Sequence, residues 1–164
     1  MNPLQPPDSH YLRAAEGWLD LGNHIEANEE LEKIAPLNRA HPDVLLARWH
    51  IYAKAQKWDA CVDLGKAMVE LAPERVRSWI AHAKAYTAQQ RYQEAYDVLL
   101  PALSKFPKEA GAHYHLARCA CQLGKLSEAV EWIEKAFQYG GNELKLKALD
   151  DIELKPLWDK IGQL

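Results

Sequence analysis

Four short segments at a fixed spacing decide the fold of this chain: LGNHIEA (21–27), AQKWDAC (55–61), QQRYQEA (89–95) and LGKLSEA (123–129). Each segment begins 34 residues after the one before it. An internal repeat of this length indicates one supersecondary unit copied along the chain. In the same register, a turn position is occupied in the four copies by Gly22, Gln56, Gln90 and Gly124.

Each period contains two helical patterns, and the third copy shows them most fully. The first pattern runs over residues 77–89 and the second over residues 92–105, each with apolar residues three or four positions apart. Pro73 and Pro107 fall between copies, where a residue without an N–H breaks no helical hydrogen bond. We therefore predict an all-α protein built of helical hairpins.

Aromatic, small and proline residues occupy fixed positions in the third copy: Trp79, Ala83, Tyr86, Tyr92, Ala95, Leu99, Ala102 and Pro107. This pattern resembles the tetratricopeptide repeat family. The resemblance implies a right-handed α-solenoid of antiparallel helix pairs, a tetratricopeptide-like superhelix, whose concave face is lined by the first helix of each pair.

The resemblance divides the chain into four repeats, at about 9–41, 42–75, 76–109 and 110–141. We expect residues 1–8 to form a flexible N-terminal segment, and residues 142–164 to form capping helices that cover the apolar face of the last repeat. The closing stretch ALDDIELKPLW (148–158) resembles the end of many bacterial tetratricopeptide proteins, which suggests a bacterial origin.

The second repeat departs from the others at two buried positions. Trp49 stands where the other repeats have alanine, and Gly65 stands where they have leucine or isoleucine. Because cores conserve total volume better than residue identity, we predict that the indole fills the space that the glycine leaves.

Composition excludes several classes of function. The formal charge is -3, from 20 basic and 23 acidic side chains, so the basic excess of a general nucleic-acid binder is missing. No apolar stretch reaches the roughly 18 residues that span a bilayer, and the first ten residues do not resemble an export signal. We expect a cytoplasmic protein, with no membrane or nucleic-acid partner, in which the three cysteines are reduced thiols.

No constellation for catalysis or cofactor binding is found in the sequence. Phosphate-binding glycine loops, dinucleotide fingerprints and zinc-protease motifs are all missing. His115 and Cys119 are neighbours at i and i+4 on one helix, but two ligands do not make a zinc site. We expect no enzymatic activity, no cofactor and no metal ion.

The resemblance also assigns the residues that would contact a partner in the concave groove. Equivalent positions of the four repeats form rows, and one row is apolar: Leu12, Leu46, Ile80 and Tyr114. A second row changes from acidic to basic along the chain: Glu16, His50, Lys84 and Arg118. A partner peptide with an acidic portion near Lys84 and Arg118 would fit these rows. Alternatively, the apolar residues pack against neighbouring helices or are covered by the N-terminal tail. The predicted groove residues are Leu12, Glu16, Leu46, His50, Lys54, Arg77, Ile80, Lys84, Tyr114, Arg118 and Gln122.

The predicted function is a non-catalytic protein–protein interaction module, a scaffold or adaptor that binds a peptide or protein segment in this groove. Two alternatives stay open: a small secretion-type or assembly chaperone, and a structural repeat protein that associates with its own copies through its open ends. The fold supports many unrelated functions, so the sequence names no partner.

Overall fold

A computed structural model describes residues 3–163, and these residues form helices joined by turns, with no strand among them. The chain divides into two compact units, which meet in sequence between Pro73 and Glu74. This division falls near the predicted boundary between the second and third repeats, at residues 75 and 76. Each unit has its own helical hairpins and its own buried residues.

Unit 1 contains two helical hairpins, followed in each case by a turn that holds proline. Pro36 opens a short 3-10 turn, and Pro42 occupies the first position of the next helix, where its missing N–H costs no hydrogen bond. The helices are α1 (Asp8–Asp20), α2 (His24–Glu32), α3 (Pro42–Lys54) and α4 (Trp58–Leu71).

The first helix of unit 1 is fixed at its start by a buried carboxylate. Asp8, which the sequence analysis places at the end of a flexible segment, begins α1 and is only 4% exposed. Its two oxygens accept hydrogen bonds from the Ala35 amide at 3.1 Å and the Asn38 side chain at 2.7 Å. Leu4 packs against the same apolar cluster, so the chain before α1 covers part of unit 1. Met1 and Asn2 lie outside the described residues.

The small and large positions of the repeat are buried as the period predicts. Ala15, Ala83 and Ala117 are all between 0% and 1% exposed, and Trp49, which replaces them in the second repeat, is 2% exposed. Gly65 is likewise buried in α4. A full indole is therefore accommodated at a position where the other repeats hold only a methyl group.

Unit 2 contains the third and fourth repeats and the C-terminal segment. Pro101 separates the second helix of the third repeat into two pieces, because a residue without an N–H interrupts the helical hydrogen bonds. The helices are α5 (Val76–Ala88), α6 (Tyr92–Leu99), α7 (Ala102–Lys105), α8 (Ala110–Gln122), α9 (Leu126–Asp150) and α10 (Trp158–Ile161).

The last long helix is bent at Gly140 and Gly141, where the predicted fourth repeat ends. Gly141 has φ +69° and ψ −167°, so α9 consists of two helical pieces that meet at a kink. Residues 152–157 follow as a 3-10 helix. Leu154, Leu157 and Ile161 are all 0% exposed, so the C-terminal segment belongs to the core of unit 2.

Candidate functional site

The predicted groove residues divide between the two units and differ in exposure. Leu12 and Tyr114 are buried, at 9% and 1%, whereas Leu46 and Ile80 are half-buried. The apolar row is thus not exposed throughout, because Leu12 and Tyr114 belong to the buried clusters of their own units. The remaining predicted residues are exposed or half-buried: Glu16, His50, Lys54, Arg77, Lys84, Arg118 and Gln122.

In unit 1, the predicted groove residue Glu16 lies near two other carboxylates, Asp43 and Asp20. Glu16 on α1 is exposed, and partial burial, followed by the charges of Asp43 and Asp20, raises the pKa of its carboxyl group. Arg13 opposes this effect. Repulsion among these carboxylates makes this side of α1 and α3 a poor place for an acidic ligand.

In unit 2, the C-terminal segment covers the inner positions of α8. We name residues 151–157 the cap segment. The Tyr114 hydroxyl donates to Asp151 Oδ2 at 2.7 Å, and the Gln122 side chain donates to the backbone carbonyl of Glu153 at 2.6 Å. Arg118 forms ion pairs with both acidic residues, at 3.2 Å to Asp151 Oδ2 and 2.5 Å to Glu153 Oε2.

The indole of Trp158 fixes the cap segment to the helix before it. Its Nε1 lies 3.2 Å from the backbone carbonyl oxygens of Ala148 and Asp151, and donates to both. Asp151 in turn accepts a hydrogen bond from the Glu153 amide at 3.1 Å, which starts the 3-10 helix. The two carboxylates are therefore held in one orientation against α8.

A cluster of three cations lies beside this contact, and each comes from a different helix: Lys84 from α5, Arg118 from α8 and Lys147 from α9. The Lys147 ammonium lies 5.2 Å from the centre of the Tyr114 ring. The Lys84 side chain reaches solvent, but its surroundings lower its pKa. The largest cause is partial desolvation of the ammonium group, followed by the charges of Lys147 and Arg118. The three side chains are thus close enough to repel one another.

His115 lies within this cation cluster, with its Nδ1 3.3 Å from Arg118 Nη1. Burial, followed by the charges of Arg118, Lys84 and Lys147, lowers the pKa of its imidazole to about 3. The ring is consequently neutral at physiological pH, and it adds no positive charge to the cluster.

Two features of this site were missed by the sequence analysis. Lys147, Asp151 and Glu153 all fall in the predicted capping helices, residues 142–164, and none of them is a predicted groove residue. The repeat period ends at residue 141, so no register could place the following residues against α8. The acidic stretch DDIE (150–153) was the signal available, since it complements Arg118 in charge.

Two α8 residues of metal-binding types, Cys119 and His113, are both buried. Cys119 is 1% exposed, and burial raises the pKa of its thiol to about 11, which disfavours the thiolate that zinc requires. His113 stacks on the Trp132 ring, with the ring centres 5.6 Å apart. No three histidine, cysteine or carboxylate residues converge on a common point within residues 3–163.

Of the helices between residues 3 and 163, none combines the length and the apolar character that crossing a membrane demands.

The repeated helical hairpins, with alanine at their close contacts and a left-handed residue at each internal turn, define a helical repeat protein. Residues 86–149 match the family model described as tetratricopeptide repeat. This match covers 64 of the 164 residues, and over that stretch the chain is similar to tetratricopeptide repeat proteins.

Relatives share part of the sequence. The protein named "WD and tetratricopeptide repeats protein 1" of Mus musculus is 32% identical over 82 residues, which is 48% of this chain and 12% of that protein. The protein of the same name from Homo sapiens gives the same values. This chain thus corresponds to a small part of these relatives.

Solved structures share the fold over most of the chain. TTC0263, a thermophilic TPR protein of Thermus thermophilus, has a TM-score of 0.75 at 18% identity, covering 96% of this chain and 100% of that one. MamA has a TM-score of 0.71 at 16% identity, covering 85% and 81% of the two chains. The predicted fold class, an all-α solenoid of antiparallel helix pairs, is confirmed.

Proposed function

We propose that this chain is a non-catalytic protein-binding module, and that unit 2 binds an acidic segment of its partner at the cation cluster. Tetratricopeptide repeats serve in general as scaffolds for protein–protein interaction. One observation favours an acidic partner here, namely that Lys84, Arg118 and Lys147 converge from three helices beside predicted groove positions. The partner itself is not named by this chemistry.

The contact between the cap segment and α8 supports this chemistry. Arg118 already pairs with two carboxylates of an acidic stretch, and the Gln122 side chain donates to the backbone of the same stretch. Charge-assisted contacts combined with a backbone hydrogen bond are a general way to hold a peptide. A partner's carboxylates would extend this pattern toward Lys84 and Lys147.

The test uses a short fluorescein-labelled peptide of glutamates interspersed with leucines, followed by fluorescence anisotropy. We expect the unaltered protein to bind it, and the affinity to fall as salt is raised, because exposed charges are screened. Lys84→Glu should weaken binding about fivefold, the effect of replacing one attractive charge by a repulsive one near the surface.

Lys66→Glu is the matched control, because Lys66 is exposed on α4, outside the predicted groove, and its reversal changes the net charge equally. We expect its affinity to equal that of the unaltered protein. Failure of the unaltered protein to bind the peptide, or equal weakening by both variants, would contradict an acidic partner at this site. A measurement of mass in solution separates this function from association between copies.

A further inference from the structure

A pocket of about 350 Å³ opens in unit 2 between the first turn of α8 and the kink of α9. Apart from two charged residues, its walls are apolar or backbone. The lining residues are Ala110, Gly111, Gly140, Glu143, Leu144 and Lys147.

Two glycines give this pocket its shape. A Cβ atom on Gly140 would lie 2.8 Å from Leu144 Cδ2 and 3.0 Å from Ala110 Cβ, so a side chain at this position would require both neighbours to shift. A Cβ atom on Gly111 would lie 3.3 Å from Ile80 Cδ1. One residue of the pocket lining, Gly111, therefore lies beside Ile80, a predicted groove residue.

The charges around the pocket are mainly positive. Lys147 lines it, and Lys84, one helical turn after Ile80 on α5, is near enough to Lys147 for their charges to interact. Glu143 is the one acidic residue of the lining. An apolar cavity beside a pair of lysines suits an aliphatic side chain flanked by carboxylates.

The cap segment presents the same combination, and it is a fixed part of the unit. Asp151 and Glu153 pair with Arg118, while Leu154 and Leu157 are 0% exposed beside them. Release of this segment would expose large aliphatic side chains to water, which opposes its displacement by a ligand. A partner must therefore bind next to the cap segment rather than in its place.

We propose that the pocket between α8 and the kink of α9 receives an aliphatic side chain of the acidic partner, with Lys147 and Lys84 pairing with the carboxylates on either side. This inference rests on the proposed function and adds to it a specific anchor. It also makes the part of α9 after the kink, through Lys147, part of the binding surface.

The experiment compares the glutamate–leucine peptide with a second peptide in which serine replaces every leucine. The charge is the same in both, so a difference in affinity reports the aliphatic anchor alone. We expect the unaltered protein to prefer the leucine peptide at least tenfold, because burial of one leucine in an apolar site supports about that ratio.

Two variants locate the anchor. Gly111→Ala adds a methyl group to a residue that lines the pocket, 3.3 Å from Ile80 Cδ1, so a small shift of that flexible side chain should let it fold, and the preference for leucine should fall about threefold. Lys147→Glu should weaken both peptides about fivefold. Lys145→Glu makes the same charge change two residues earlier, on another side of the helix, and should leave both affinities unchanged.

The outcomes separate the pocket from the wider function. Equal affinity for the two peptides in the unaltered protein, or a preference for leucine that Gly111→Ala leaves intact, would overturn the pocket. If Lys84→Glu still weakened both peptides in that case, the proposed function would stand without it. Absence of binding to either peptide would remove both. A thermal unfolding scan confirms that each variant is folded.

Discussion

Helices α3 and α8 hold the same place in the second and fourth repeats, yet their inner positions have opposite surroundings. On α3, Leu46 is half-buried and His50 is exposed. On α8, Tyr114 at the place of Leu46 is 1% exposed, and Arg118 at the place of His50 pairs with two carboxylates. The position in the repeat determines the direction of a side chain. On α8, the segment that follows the last repeat also covers these side chains and shields them from water.

The two helices also differ on their packing side, where the largest effect is expected. Trp49 on α3 stands at the place of Ala117 on α8, and both are almost fully buried. Trp49→Ala should lower the free energy of unfolding by about 3–5 kcal/mol, because it leaves a cavity that the surrounding helices fill only in part. Urea unfolding followed by circular dichroism measures this loss.

The double variant Trp49→Ala, Gly65→Leu sharpens the first prediction. It gives the second repeat the residue types that the other repeats have at these positions. If the indole fills the volume left by the glycine, the double variant should recover part of the lost stability. An unfolding midpoint that Trp49→Ala leaves unchanged would show that the indole has no such packing role.

The second prediction concerns the charged contact on α8. Arg118→Ala leaves Asp151 and Glu153 without their cation in a partly buried place, so the protein should lose about 2 kcal/mol of stability. His50→Ala changes the equivalent position of α3 and should alter stability by less than about 0.5 kcal/mol. Similar losses in both variants would mean that the cap contact adds nothing to α8.

The third prediction uses the neighbouring position, where α8 has His115 and α3 has Ala47. The folded protein holds the pKa of His115 at about 3, against an ordinary value of 6.5, through burial and through Arg118, Lys84 and Lys147. The unfolded chain therefore takes up a proton between pH 6.5 and pH 3 that the folded protein does not. Stability is full above pH 6.5 and falls as the pH is lowered through this window.

At pH 5, His115 should reduce the free energy of unfolding by about 2 kcal/mol relative to neutral pH, since each pH unit below the ordinary pKa adds about 1.4 kcal/mol. In His115→Gln this part of the acid sensitivity should disappear. Urea unfolding at about pH 7.5 and about pH 5 gives the difference, with His50→Gln as the control that keeps it. An unchanged pH dependence in His115→Gln would refute the buried neutral imidazole.

The sequence was sufficient for everything that follows the 34-residue period. The helical hairpins, the turn register, the buried alanines and the break at Gly141 all depend on local patterns, which the residues themselves display. The groove positions of α8 were also predicted from the register. Their covering was not, because it depends on residues 151–157 folding back onto α8, and no periodic signal links these two segments.

The charge of the candidate site was predicted only in part for the same reason. Lys84 and Arg118 follow from the repeat, and their position beside one another was expected. Lys147 lies on the part of α9 beyond the fourth repeat, and its direction toward Tyr114 depends on the kink at Gly141. The bend angle of a glycine pair cannot be derived from its sequence, since glycine adopts many backbone conformations.

The smallest expected effect lies in the turns that follow α3 and α8. Gln56 after α3 has φ +56°, and Gly124 after α8 has φ +74°, so the same left-handed turn is made once by glutamine and once by glycine. This conformation is unfavourable for a residue with a Cβ atom and favourable for glycine. Gln56→Gly should therefore raise the free energy of unfolding by about 0.5 kcal/mol, the gain being limited by the greater freedom of glycine in the unfolded chain.

Gly124→Gln is the reverse change and should lower stability by about 1 kcal/mol, which a thermal unfolding scan registers as a decrease of about 2–4 °C. Opposite signs in the two variants would tie the effect to the left-handed turn, because in an ordinary helical or extended position glycine is the less stable choice. A loss of stability in Gln56→Gly as large as that in Gly124→Gln would mean that the glutamine side chain stabilises its turn. In that case the two turns would differ in their contacts as well as in their residue type.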